Sequence, residues 1–260
     1  GEHGERTLFE TGYTAVRAPE TGPGYQQGYI RASRDSGKTW SEAIQPPQWE
    51  GVSEVALIRA QNGDLVGACR TDIPAGMSGI DHLEGLGVSI SKDNGLSWSA
   101  VTKLYNWGRH HPSMVLLPDG CLVMTYVVRK GYTDTADGRP RFGIEAVVSR
   151  DNGQSWDLDH RYVLQWWEGN RTGPDSWWAS SQSTSSVLLS DESILTAFGT
   201  GYRSQPDAQN RPAPRDVGLI RWRIHPGAPE EGRAFRDAPF DSDTRNIFDP
   251  ALLSKAKPVE

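Results

Sequence analysis

The sequence predicts an all-β chain, a β-propeller of four-stranded antiparallel blades. Three observations carry that reading. An octapeptide ending in tryptophan recurs at a constant interval, a hairpin signature recurs between its copies, and sustained helical periodicity is absent. The octapeptides are Ser33-Arg-Asp35-Ser-Gly37-Lys-Thr39-Trp40, Ser91-Lys-Asp93-Asn-Gly95-Leu-Ser97-Trp98 and Ser149-Arg-Asp151-Asn-Gly153-Gln-Ser155-Trp156. Their first serines stand at 33, 91 and 149, a period of 58 residues. A repeat of that length marks a propeller, a solenoid or an array.

The filling between the copies selects among these. Residues 54–70 read as strand, Asn62-Gly63 turn, strand, and residues 111–126 repeat the pattern around Asp119-Gly120. Residues 183–198 form a third copy in which Glu192 replaces the turn glycine. A further strand precedes each octapeptide, over 28–32, 87–90 and 143–148, and 218–224 reads as its counterpart in a last unit. Each unit is therefore a small antiparallel meander, one blade. Within the octapeptide the Asp carboxylate can take backbone N–H groups across a turn, the Gly supplies a positive φ, and the Trp packs between strands. Asp35, Gly37, Trp40, Asp93, Gly95, Trp98, Asp151, Gly153 and Trp156 are accordingly read as structural.

Composition excludes other classes. With 27 basic against 33 acidic residues and a net charge of -6, the chain lacks the basic face of a nucleic-acid binder. No apolar run reaches the ~20 residues of a membrane-spanning helix, so membrane insertion is not expected. The two cysteines, Cys69 and Cys121, sit at different blade positions, so neither a disulfide framework nor a thiolate metal site is expected. No cofactor motif is present. The 28 Gly and 17 Pro fit a turn-dense chain. Residues 1–224 carry the blade pattern, and 225–260 lose it and read as an irregular tail or closing segment.

The octapeptide resembles the Asp box (Ser-x-Asp-x-Gly-x-Thr-Trp) of the sialidase, or neuraminidase, superfamily, also called the BNR repeat. The resemblance runs from about Gly28 to Ile224. It implies a six-bladed propeller, an exported protein (secreted, periplasmic or cell-surface) and a carbohydrate substrate or ligand. Six blades of this period need about 350 residues, and 260 cover four to five. The start at Gly1 rather than Met leads to the expectation that first blades lie upstream.

Counting nine residues back from each hairpin-turn position gives one equivalent inner-strand residue per unit: Glu54, His111 and Ser183. The resemblance implies that Glu54 polarises a nucleophile and that Arg70, sixteen residues on, belongs to an arginine cluster gripping a sugar carboxylate. Arg141 is the next arginine of that cluster, preferred over Arg139. A guanidinium suits a planar carboxylate through two parallel hydrogen bonds. The family's tyrosine nucleophile would fall at Ser183, where a serine hydroxyl is poorly suited; Tyr202 is a substitute from another strand.

Other residues are read directly. His111, in phase with Glu54, faces the channel either as an acid/base or as a packing histidine. Arg109 and His110 open the same blade as candidate substrate contacts. Two adjacent histidines on a strand point to opposite sides, so no metal is expected. Asp72 stands two residues past Arg70 and can orient it. Trp166, Trp167, Trp177 and Trp178 are placed in the insertion between Trp156 and Ser183, as a packed plug or a sugar platform. Trp177 and Trp178, with Gln182, lie nearest the inner strand.

These readings lead to a glycoside hydrolase acting on acidic, sialic-acid-like glycans, with Glu54 as base or nucleophile activator and His111 as auxiliary acid/base. A non-sialidase hydrolase or lyase on the same propeller, and a catalytically silent glycan-binding propeller, stand as alternatives. The oligomeric state is not read from the sequence.

Overall fold

A computed structural model describes residues 6–16, 25–72, 84–106, 108–128, 141–168, 183–199 and 217–224. They form thirteen strands and one short 3-10 turn, Pro47–Trp49. The strands group into four antiparallel meanders. A two-stranded sheet holds β1 (Leu8–Val16) and β2 (Tyr25–Ser33). Two four-stranded sheets follow: β3 (Val52–Arg59), β4 (Leu65–Thr71), β5 (Gly85–Ser91) and β6 (Thr102–Tyr105), then β7 (Arg109–Leu116), β8 (Leu122–Val128), β9 (Arg141–Ser149) and β10 (Tyr162–Glu168). The last sheet has three strands, β11 (Thr184–Leu188), β12 (Ile194–Gly199) and β13 (Val217–Trp222).

The three expected hairpins are β3/β4, β7/β8 and β11/β12. Their turns need a left-handed residue, supplied by Gly63, Gly120 and, in the third, Glu192 at φ 65°. A non-glycine is held there by the side chain before it. The Asp191 carboxylate accepts from the Ser193 amide and hydroxyl and from the Arg221 and Arg223 guanidiniums.

The second strand of each complete sheet, β4 and β8, is buried along its whole length. Their near-continuous apolar runs lack alternation because both faces are covered by neighbouring sheets. Val66, Leu86, Leu122, Met124 and Tyr126 fill the space between the two four-stranded sheets. Ile30, Trp49, Leu65 and Trp98 fill the space on the β1–β2 side, with the Trp49 and Trp98 rings 4.6 Å apart. Val123, Val148 and Ile194 join the third sheet to the fourth. Cys69 and Cys121 are buried free thiols within this packing, and burial pushes Cys69 up to about 12.

The three octapeptide turns share one bonding pattern. In the second, the Ser91 hydroxyl accepts from the Gly95 amide at 2.7 Å and donates to Asp93 at 2.8 Å, and Asp93 accepts from the Ser97 amide and hydroxyl. Asp35 and Asp151 repeat it. Hydrogen bonds from Thr39 and Ser97 hold the Asp35 and Asp93 carboxyls down at about 2, against 3.8 ordinarily. A folded-state value below the unfolded one gives stability that is complete above about pH 4 and lost as pH falls towards 2. Melting curves of wild type and Asp93→Asn are thus expected to differ at pH 5 and to converge near pH 2.

Three sequence expectations change. Trp166 and Trp167 stand in β10, the outer strand of a sheet, rather than in a loop, because the strand starting at Tyr162 pairs with β9 past a register shift at Val163/Gln165. The strand before the first octapeptide starts at Tyr25, not Gly28, since β1 pairs with it over nine residues. β1 itself was not anticipated: Gly12 breaks its apolar pattern, and the Tyr29 ring packs on that glycine. Trp177, Trp178, Gln182, Arg139, Tyr202 and the 225–260 tail lie outside the described residues.

Candidate active site

The inner strands β3 and β7 each carry a bulge at the same register. Pairing shifts between Ser53 and Ala56 in β3, and between His110 and Ser113 in β7. At each bulge sits a non-glycine residue in the left-handed region, Glu54 at φ 51° and His111 at φ 54°. Such a conformation costs on the order of 1–3 kcal/mol and persists where the surroundings enforce it. The two positions that counting had made equivalent are therefore equivalent in backbone conformation as well.

The bulges converge their side chains. His111 Nδ1 lies 2.7 Å from Glu54 Oε2, and Arg70 Nη1 donates to Glu54 Oε1 at 2.8 Å. Arg70 reaches Glu54 from β4, where it pairs with Ser53, and its Nε meets the Glu84 carboxylate. The Arg70 and Glu84 side chains are each 10% exposed, against 21% for Glu54 and 15% for His111. Solvent thus reaches the pair more readily than the groups that brace it. Burial would raise the Glu54 carboxyl, but the adjoining His111 imidazole and Arg70 guanidinium outweigh it and hold that carboxyl below its usual range.

The other inner strand leans on the same place. The Thr184 hydroxyl donates to the His111 carbonyl at 2.8 Å, and the Ser186 amide donates to the Ser113 hydroxyl at 2.9 Å. Ser183, just before β11, is exposed. Three inner strands therefore begin around one mouth containing Glu54, Arg70 and His111.

Several expected contacts fall elsewhere. Arg109 and His110, read as substrate contacts, are fully buried. Arg109 stacks over Tyr105 at 4.9 Å, with its Nε 3.8 Å from Glu145, so it braces the sheets from inside. His110 packs against His111 with ring centroids 4.8 Å apart. The rule that adjacent strand residues diverge fails here because the His111 bulge interrupts the pleat. Glu54, His110 and His111 consequently place one ligand atom each within 4.8 Å of one another, a group able to hold a metal. Asp72 lies over Gly51, accepts from the Gln26 backbone and feels the Arg70 charge, while Glu54 and Glu84 pair with the Arg70 guanidinium directly. The Asp72 carboxyl is raised by burial. Arg141 opens β9 opposite Glu168, and its side chain lies outside the described residues.

Sequence reasoning missed Glu84, Glu145, Tyr105 and Tyr126. Glu145 had a signal, a lone carboxylate inside the apolar run of β9. Glu84 had none, because its partner is on the neighbouring strand. Tyr105 and Tyr126, both buried, join hydroxyls at 2.9 Å, and burial raises both phenols.

No family model matches the chain, and no curated protein matches it by sequence. Among solved structures it is similar to a protein of unknown function from Dyadobacter fermentans DSM 18053, with TM-score 0.52, 18% identity, 78% of this chain and 55% of that one. It is similar to a xylan β-1,4-xylosidase from Bacillus halodurans C-125, with TM-score 0.55, 10% identity, 85% of this chain and 40% of that one. An α-L-arabinofuranosidase from Lactobacillus brevis gives TM-score 0.50 and 10% identity over 90% of this chain and 73% of that one. The chain thus spans about half the length of the first two. These likenesses show the fold, an all-β chain of antiparallel sheets that two glycosidases share.

Proposed function

We propose that the chain forms part of a closed β-propeller that processes glycans, with Glu54 and His111 as its acid/base pair. The observation that carries this reading is the matched pair of strained bulges, which bring a carboxylate and an imidazole from adjacent inner strands to 2.7 Å at a partly open mouth. Glycosidic cleavage needs a proton donor at the leaving oxygen and, about 5–9 Å away on the other side of the bond, a base or nucleophile; Glu54 and His111, in contact at 2.7 Å, supply one of these roles as a single unit, and the other comes from outside the pair. Glu54 Oε2, 2.7 Å from Nδ1, fixes the orientation of the His111 imidazole for proton transfer. Arg70 keeps Glu54 ionised and fixes its direction, and Glu84 fixes Arg70. The fold shared with a xylosidase and an arabinofuranosidase supports a carbohydrate substrate.

An acidic, sialic-acid-like sugar is the finer reading, with export to the cell surface, periplasm or medium, where such glycans occur. Two expected arginine contacts, Arg70 and Arg109, are occupied by carboxylates or buried, and Arg141 is kept as the proposed contact for a sugar acid. A panel of neutral and acidic glycans assayed for new reducing ends tests this. Wild type is expected to release them, and His111→Ala to do so about 10²–10⁴-fold more slowly. A product with a conjugated double bond would redirect the reading to elimination. Glycan binding without turnover by wild type would overturn it in favour of a binding propeller.

A further inference from the structure

We infer that Glu54, His110 and His111 form a divalent-metal site of the two-histidine, one-carboxylate type, best suited to Zn2+ with a position left open. The inference uses the side chains of the proposed acid/base pair but does not depend on their action on glycans. Its first support is geometric. Ligand atoms of a tetrahedral zinc at about 2.0–2.1 Å stand roughly 3.3 Å from each other. The three candidate atoms already lie within 4.8 Å of one another, so small side-chain rotations that open the 2.7 Å Glu54–His111 pair and draw in His110 would form the set.

The second support is the backbone. Consecutive histidines on a regular strand diverge, and these two converge because His111 adopts φ 54°. Glu54 adopts the matching conformation one sheet away, at φ 51°. Both strained residues are in the candidate set. The third support is Glu54 Oε2. This carboxylate oxygen already stands 2.7 Å from His111 Nδ1, so two of the three ligand atoms are side by side.

The surroundings supply a supporting shell. Ligating carboxylates are themselves usually hydrogen-bonded, and Glu54 Oε1 receives Arg70 Nη1. A guanidinium so close would oppose a dication on its own, but Glu84 pairs with the same Arg70 and offsets its charge. The His110 ring is fully buried and fixed against His111, so little side-chain freedom is lost when it binds.

The test uses the untagged full chain, stripped of metal with a chelator and titrated with Zn2+ alone, with no glycan present. After desalting, one zinc per chain is expected by elemental mass spectrometry, together with a raised melting temperature. Calorimetry should show binding weakened about tenfold or more in Glu54→Gln and in His111→Ala. These two variants carry the test because His110 is buried and its replacement risks unfolding. Co2+ in place of Zn2+ should give the intense visible absorption of a tetrahedral centre in wild type only. His160→Ala is the control, since His160 pairs with Asp157 away from the site, and should leave zinc affinity unchanged. Retention of no zinc by wild type would overturn the inference. So would zinc retained equally by both site variants. Failure of glycan turnover would not bear on it, because metal content is read without substrate.

Discussion

Replacing Glu54 with glutamine is expected to lower glycan turnover by about 10²–10⁴-fold, the range ordinarily lost with a general acid or base. The substitution keeps the shape of the side chain and removes its charge. His111 then loses the charged group that orients its imidazole, at a separation of 2.7 Å. Arg70 does not become an uncompensated buried cation, because Glu84 still pairs with it. The folding cost should therefore stay near that of one hydrogen bond to a charged group, about 1.5–3 kcal/mol. Turnover and melting temperature measured together check both halves. Unchanged turnover would remove Glu54 from the chemistry.

Gly85→Ala is expected to destabilise the fold by about 3 kcal/mol, at the upper end of ordinary overpacking. A Cβ at Gly85 would lie 2.3 Å from the Tyr105 carbonyl oxygen and 2.8 Å from backbone atoms of Asn106, and backbone cannot rotate aside. β5 and β6 would have to separate. Tyr105 stacks under Arg109 and bonds Tyr126, and Glu84 precedes the substituted residue, so turnover should fall as well. Gly63→Ala provides the contrast. Nothing lies within 4 Å of its Cβ, and its cost is the left-handed backbone alone, about 1–2 kcal/mol, with turnover intact. Denaturant unfolding and turnover of both variants would show whether the two effects separate in this way.

Local chemistry made much of the fold readable in advance. Asn62-Gly63 and Asp119-Gly120 announce their hairpins, and the octapeptides announce their turns through Asp and Gly at fixed offsets. Counting back from those turns placed Glu54 and His111 at one register without coordinates. The sheet-outer strands were harder to find, since β6 is short and β10 hides Trp166 and Trp167 behind a bulge. The site was only partly legible. A left-handed histidine has no sequence mark, so the convergence of His110 with His111 could not be foreseen. Glu84 reaches Arg70 across the pairing of β4 with β5, a contact that depends on register and not on spacing. Arg109 reads as a substrate contact until its burial and its stacking on Tyr105 are seen.

The most direct measurement of the central claim is a double-mutant cycle on glycan turnover with Glu54→Gln and His111→Ala. If the two side chains act as one unit, the double variant should lose about as much as either single one, because the first substitution already disables the pair. Losses that multiply would show two independent contributors and contradict the account.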